Sequence, residues 1–261
     1  MTVEARQAVY GAIYPSLRDR VVLVTGGGSG IGEEIVRHFV EQGSRVAFID
    51  NAEVPTRSFL EQLAAEGHRP HWEDADLTDV AAVRAAIGRI RAAFGPIEIL
   101  VNNAANDQRV KVEDVTSEYW DDRIAVNLKH QFFCAQAVLD DMIKAGGGSI
   151  VNIGSFAYDA GFSDVVPYLC AKSGVVGLTR GLAFDYGKHN IRVNCVMPGW
   201  IMTKRALENW VGEEGRAEQD RRQCLKRPLQ PFEVAKVVLF YASDESSACT
   251  RQSYLVDGGW V

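Results

Sequence analysis

The feature that most constrains this chain is a glycine run set between a short apolar segment and a helical repeat. Val21-Val22-Leu23-Val24 is an uninterrupted apolar run with charge before it and glycine after it, which predicts a strand buried on both faces. Ile31, Ile35, Phe39 and Val40 then recur at helical spacing. Glu33 and Glu34 fall in the first turn, where the helix dipole favours anions, and Gly43 provides the stop. Between the two elements stands Thr25-Gly26-Gly27-Gly28-Ser29-Gly30-Ile31-Gly32, spaced T-G-x-x-x-G-x-G rather than G-x-G-x-x-G. Glycines there allow positive φ and close backbone approach, and free N–H groups at a helix start attract anions, so the turn suits a phosphate. Taken alone, such a turn is a weak signal, and a tight connection without a ligand is the minority alternative.

The alternation continues along the chain. Arg45–Asp50 reads as a second strand, followed by a helix around Thr56–Glu66, a weak strand near His71–Asp76, a helix over Val80–Phe94 and a strand at Ile97–Asn102. One long helix is predicted over Tyr119–Lys144, then a strand at Ile150–Ile153, a helix at Tyr168–Tyr186 and a strand at Ile191–Val196. A polar stretch around Thr203–Arg227, a short helix near Phe232–Ala242 and a strand at Tyr254–Val256 complete the pattern. Strands alternating with helices predict an α/β chain with one doubly wound parallel sheet, the Rossmann arrangement, covered by helices on both faces. Ligands of such sheets bind beyond the carboxyl ends of the strands. With no Pro- or Gly/Ser-rich linker and no repeat, the expected organisation is an N-terminal extension over 1–19 and a single domain over 20–261.

Composition excludes several classes. A net charge of −6 offers no positive field for phosphate backbones, so nucleic acid is not an expected partner. No run approaches the ~20 apolar residues of a membrane span, and Met1–Arg20 has no apolar signal core, so a non-membrane, cytoplasmic protein is expected. Cys134, Cys170, Cys195, Cys224 and Cys249 are odd in number and form no C-x-x-C, which supports neither a disulfide framework nor a metal site.

Asp50 closes the second strand, where a carboxylate can accept hydrogen bonds from both adenosine ribose hydroxyls and would repel a 2′-phosphate. Neither Ser29 nor Asn51 supplies a compensating positive charge, so NAD is the expected cofactor rather than NADP. Tyr168 and Lys172 are four apart in a helical segment and share a face. A phenol near ~10 is a poor base at neutral pH, and an adjacent ammonium can favour the phenolate. Tyr-x-x-x-Lys alone is a frequent accident, but Ser155 lies just past the Ile150–Ile153 strand, at the ligand edge of the sheet, with a hydroxyl that can hold a substrate oxygen.

With these residues in place, the sequence resembles the short-chain dehydrogenase/reductase superfamily from about Arg20 to the C-terminus. The resemblance implies a pyrophosphate turn at Thr25, Gly26, Gly28, Ser29, Gly30, Ile31 and Gly32, with Asp50 on the ribose and Asp76-Leu77 on the adenine side. It implies that Asn102-Asn103-Ala104 shape the cofactor cleft, and that Pro198-Gly199, Ile201 and Thr203 form the nicotinamide-side loop. Asn127, Ser155, Tyr168 and Lys172 match the family's catalytic tetrad, while Ala105 stands where many relatives carry glycine. The implied roles are Tyr168 as proton acceptor and Lys172 lowering its pKa and binding the nicotinamide ribose. Ser155 orients the reacting oxygen, and Asn127 holds a relay water. The family usually forms dimers or tetramers, so a homodimer or homotetramer is expected.

The substrate end is expected in the loop Asn106-Asp107-Gln108-Arg109, in Phe156 and Tyr158 after Ser155, and in Trp200, Met202 and Trp210. Aromatic faces beside polar groups suit a sugar ring, although the tryptophans could equally be core or interface. Ala105-Asn106-Asp107, Asn127-Leu128-Lys129-His130, Gln223-Cys224-Leu225-Lys226 and Asp257-Gly258-Gly259-Trp260 resemble the bacterial NAD-dependent aldose 1-dehydrogenases of the D-xylose type. That resemblance implies oxidation of a cyclic sugar at C1 to a lactone. Phe156-Ala157-Tyr158 departs from the aromatic pair often found there, which leaves the particular sugar open. The alternative is a reductase of a 3-oxoacyl thioester or small ketone. A dinucleotide-binding sensor without turnover is disfavoured by the intact Ser155, Tyr168 and Lys172.

Overall fold

A computed structural model of the chain describes residues 11–209 and 211–261, without the side chain of residue 209. Residues 1–10 of the expected extension, and Trp210, lie outside the described residues. Seven strands are present among them: β1 Val21–Thr25, β2 Arg45–Ile49, β3 His71–Glu73, β4 Ile99–Asn102, β5 Gly148–Ile153, β6 Ile191–Pro198 and β7 Ser253–Val256. They pair in the order β3-β2-β1-β4-β5-β6-β7, every neighbour parallel. Val22 faces Val46 on one side and Ile99 on the other, so the chain leaves β1 toward one edge and returns through β4 toward the opposite one. The crevice between β1 and β4 is where a doubly wound sheet opens for a ligand.

Alternation within the strands sends side chains to two cores. Val22, Val24, Val46, Phe48 and Val101 pack beneath α1 (Gly30–Glu41), α2 (Glu53–Ala65) and α10 (Pro231–Ala242). Val21, Leu23, Ala47, Ile49 and Leu100 pack against α3 (Val80–Phe94), α5 (His130–Lys144) and α7 (Val166–Tyr186). Because both faces are covered, β1 is buried at all five positions, which is why it reads as a continuous apolar run. Leu17, inside the expected extension, is fully buried in the first core, so the packed chain begins earlier than residue 20.

Two expectations are corrected. The long helix predicted over Tyr119–Lys144 is divided into α4 (Ser117–Ile124), a π turn at Ala125–Lys129 and then α5. Asn127 causes the break: its amide donates to the Arg123 carbonyl, four residues back, at 2.9 Å, occupying an acceptor of the regular ladder. The polar stretch Thr203–Arg227 holds two helices, α8 (Lys204–Asn209) and α9 (Glu213–Arg222). In α9, Glu213 and Glu214 occupy the first turn, Arg221 and Arg222 the last, and Glu218 pairs with both arginines. Charge placement holds this helix, and it carries no apolar stripe for periodicity to detect. One further turn of helix, α6 (Ala157–Ala160), follows β5.

Candidate active site

The carboxyl ends of the strands converge on a cleft lined by Ile31, Asn103, Ser155, Tyr168, Lys172 and Gly199, among others. At its start, Gly26 and Gly30 take φ of +67° and +61°. A Cβ at Gly32 would stand 1.8 Å from the Gly26 carbonyl oxygen, so only glycine lets α1 begin this close to the turn. Ser29 caps α1 with its backbone extended, Ile31 lines the cleft, and Thr203 lies across from Gly30. This cradle of closely approached backbone fits a diphosphate.

Asp50 is buried at the end of β2 and accepts from the Gly28 amide and the Ala52 amide, each at 2.8 Å. Each carboxylate oxygen keeps a lone pair for a ribose hydroxyl. Among the described residues Asp50 forms no ion pair, and this is the condition under which a 2′-phosphate is repelled. Asp76 holds its own loop by accepting from the Thr78 amide and hydroxyl, both at 2.8 Å, and Leu77 is buried beside α3. The Thr25 hydroxyl accepts from the Asn103 and Ala104 amides at 3.0 and 3.2 Å, and the Asn103 side chain donates to the Thr25 and Gly26 carbonyls at 3.1 and 2.9 Å. The loop after β4 is thereby tied to the glycine turn.

At the reacting end, Ser155 follows β5 and its hydroxyl accepts from the Ala157 amide at 3.1 Å. Tyr168 and Lys172 project from one face of α7, with the ammonium 5.7 Å from the ring centre of Tyr168. The ammonium is fully buried and donates to the Ile153 carbonyl at 2.8 Å. Burial lowers Lys172 to about 8. Burial pushes the Tyr168 phenol up to about 12, against the opposing hydrogen bond from Ser155. The expected lowering of Tyr168 by Lys172 is therefore not found: desolvation dominates, and the ammonium is directed at the Ile153 carbonyl. The Asn127 side chain is held by protein groups: it accepts from the Asn106 amide at 2.9 Å and donates to the carbonyls of Asn106 and Arg123 at 3.0 and 2.9 Å, which leaves one lone pair on its oxygen.

The substrate-facing expectations divide. Asp107, Phe156 and Trp200 line the cleft with Ser155 and Tyr168, as do Pro198, Ile201 and Thr203 of the loop after β6. Tyr158 does not: it sits on the outer side of α6 and is exposed. Asn106 is not in the lining itself, but its side-chain oxygen accepts from the Gln108 amide and from Arg205, which is. Sequence reasoning missed Arg205, which reaches from α8 to pair with Asp107 at 2.9 Å across the cleft. It also missed Trp260, whose ring packs on Phe156 and Trp200 at 5.5 and 5.7 Å. Asp257 holds this tail by accepting from the Gly259, Trp260 and Val261 amides, and the Cys224 and Leu225 amides donate to the Gly259 and Gly258 carbonyls. The only signal in the sequence was the pair of segments around Cys224 and Gly259, whose pairing no spacing rule shows.

A dinucleotide cradle leading to a Ser, Tyr and Lys constellation defines the oxidoreductase class of this fold. A family profile described as enoyl-(acyl carrier protein) reductase matches residues 26–261. The chain is 46% identical to D-xylose 1-dehydrogenase of Caulobacter vibrioides, over 95% of this chain and 98% of that protein. It is 48% identical to the “Probable galactose dehydrogenase GalD” of Rhizobium meliloti, over 94% and 96%. The structure of Thermoplasma acidophilum aldohexose dehydrogenase in ligand-free form superposes with a TM-score of 0.85 at 32% identity, covering 95% and 96%. The chain belongs to the short-chain dehydrogenase/reductase superfamily.

Proposed function

We propose that this protein oxidises an aldose at C1 to its lactone with NAD as hydride acceptor. The observation that carries the reading is a cleft that brings Ile31 of the glycine turn and Asn103 together with Ser155, Tyr168 and Lys172, and that is lined also by the Asp107–Arg205 pair. The similarity to sugar dehydrogenases over nearly the whole chain supports it.

NAD, when bound, accepts the hydride at its nicotinamide ring. Gly26, Gly28, Ser29, Gly30, Ile31 and Gly32 hold its diphosphate, Asp50 its ribose, and Asp76 with Leu77 the adenine side. Asn103 and Ala104 bound the cleft, and Pro198, Gly199, Ile201 and Thr203 face the nicotinamide. Ser155 donates to the sugar's C1 oxygen and fixes its position. Tyr168 Oη removes the proton of the C1 hydroxyl as the C1–H electron pair departs, so C1 becomes the lactone carbonyl. Lys172 binds the nicotinamide ribose, and Asn127 acts through the π turn, holding the Asn106 loop and displacing backbone carbonyls from the helical ladder. Phe156 and Trp200 wall the ring, while Asp107 pairs with its hydroxyls. Asn106 supports the polar end of the cleft through its bond to Arg205, and Tyr158 stands outside the lining.

The reading is tested by following NADH formation with pentoses, hexoses, small alcohols and 3-oxoacyl thioesters. Turnover of an aldose to a lactone is expected, and reduction of an oxoacyl thioester with no aldose activity would overturn it. Asp50→Ala is expected to raise KM for NAD by roughly 10- to 100-fold, as lost hydrogen bonds to a charged acceptor are worth ~1.5–3 kcal/mol, while improving use of NADP. Comparable kcat/KM for both cofactors in the wild type would contradict the role of Asp50. Asp107→Ala is expected to raise KM for the sugar without altering NAD affinity, because it also releases Arg205 from its cross-cleft partner.

No helix among the described residues is long and apolar enough to cross a membrane. We read the protein as a cytoplasmic homodimer or homotetramer. Five free cysteines, and the exposed Trp120, Phe132 and Phe184 on α4, α5 and α7, support this.

A further inference from the structure

Beneath the cofactor end of the cleft lies a buried side chain that the mechanism above does not use. His130 opens α5 directly after the π turn and is 1% exposed. Its Nε2 stands 3.5 Å from the Thr25 hydroxyl oxygen. That oxygen already accepts from the Asn103 and Ala104 amides at 3.0 and 3.2 Å. A hydroxyl has two lone pairs and one proton, so with both pairs taken the proton needs an acceptor. Among the described residues, His130 Nε2 is the acceptor within hydrogen-bond distance. On the other side of the ring, Nδ1 lies beside the Val126 and Ala125 carbonyls without the geometry of a full hydrogen bond. Carbonyl oxygens only accept, so that side of the ring favours a proton on Nδ1. Both neighbours select the same neutral tautomer, with Nδ1–H toward the π turn and the Nε2 lone pair toward Thr25. Burial first, and the Lys172 ammonium second, hold His130 down to about 3, which keeps the imidazole neutral at any working pH.

We propose that His130 is a positioning residue for the cofactor: it orients the Thr25 hydroxyl, which holds the Asn103–Ala104 backbone against the glycine turn. The contact reaches the cleft because the Asn103 side chain also donates to the Thr25 and Gly26 carbonyls and lines the site. It joins the π turn carrying Asn127 to the turn that begins α1, two segments that share no other side-chain hydrogen bond among the described residues. The proposal rests on the reading of this cleft as a dinucleotide site.

The test uses His130→Phe, which keeps a ring but removes the acceptor, and His130→Gln, whose amide oxygen can take the Thr25 proton. Hydrogen exchange at the Asn103 and Ala104 amides is measured without cofactor, and NADH affinity by fluorescence titration. His130→Phe is expected to speed exchange at those two amides and to weaken NADH by about 5- to 10-fold, as the loss of one net hydrogen bond implies. It should lower kcat at saturating NAD by less than about threefold. His130→Gln should restore most of both losses. Unchanged exchange at Asn103 and Ala104, or faster exchange spread evenly along α5, would overturn the proposal, since a purely structural role predicts one or the other. If His130→Phe does not fold, His130→Asn replaces it: its shorter amide cannot reach Thr25, and equal NADH affinity of the Asn and Gln variants would overturn the proposal. If the wild type fails to bind NADH, the cofactor reading falls, and exchange at the two amides still decides whether His130 orients Thr25.

Discussion

Tyr168→Phe is expected to lower turnover by about 10²–10⁴-fold, the range lost when a general base is removed, while NAD binding stays close to wild type. The ring remains packed against the cluster of Phe156, Ala157 and Trp260, so the variant should fold and melt normally, which separates loss of chemistry from loss of structure. Single-turnover measurement of NADH formation checks the effect, and substantial residual oxidation would mean another group takes the proton. The pH dependence has a defined sign. Burial pushes this phenol up to about 12, so its basic form is scarce at neutral pH and log(kcat/KM) for oxidation should climb as pH rises. Stability runs the other way. A phenol whose folded pKa is raised from 10.0 to about 12 favours the native state fully below pH 10, and that contribution is lost as pH rises through about 12. Activity should therefore rise and then fall at the alkaline limit as the wild type unfolds, with Tyr168→Phe losing less stability over the same interval.

Gly32→Ala is expected to abolish measurable NAD binding. The added methyl would lie 1.8 Å from the Gly26 carbonyl oxygen and 2.5 Å from the Asn103 side-chain nitrogen, and the first of these is backbone that no rotamer change can move. Either α1 retreats from the turn or the turn opens, and both disperse the N–H groups that face the diphosphate. Overpacking of this kind costs ~1–3 kcal/mol, which for a chain of this size lowers Tm by about 2–12 °C. Gly30→Ala is the control. There the new Cβ meets only Thr203 Cγ2 and Cβ, at 3.4 and 3.8 Å, and the loss comes from a φ of +61°, so a smaller fall in Tm and partial retention of binding are expected. Isothermal titration with NAD and thermal melts of both variants distinguish the two, and full affinity in Gly32→Ala would contradict the close approach.

Much of the frame was legible because it is local. β1 announced itself as an apolar run because both of its faces are covered, and α3, predicted over Val80–Phe94, has those limits, fixed by the Asp79 side chain at its start and Gly95 at its end. The Tyr168 and Lys172 pair was legible because one helix places both on one face. The division of the long helix was not, because Asn127 breaks it with help from Asn106, a residue on another segment.

By itself the sequence determined the succession of strands and the helices with an apolar stripe, the glycine turn, the carboxylate at the end of β2 and the three side chains with reactive oxygens or nitrogen. These depend on residue type, period and spacing, which are properties of the chain alone. The tertiary structure decided which neighbours those groups meet. It turned Tyr158 outward, brought Arg205 onto Asp107, folded the C-terminal Trp260 against Phe156, directed Lys172 at Ile153, and set His130 beneath Thr25. Each is a contact between segments far apart in the chain, set by packing and desolvation once the sheet has formed, and no local period encodes it.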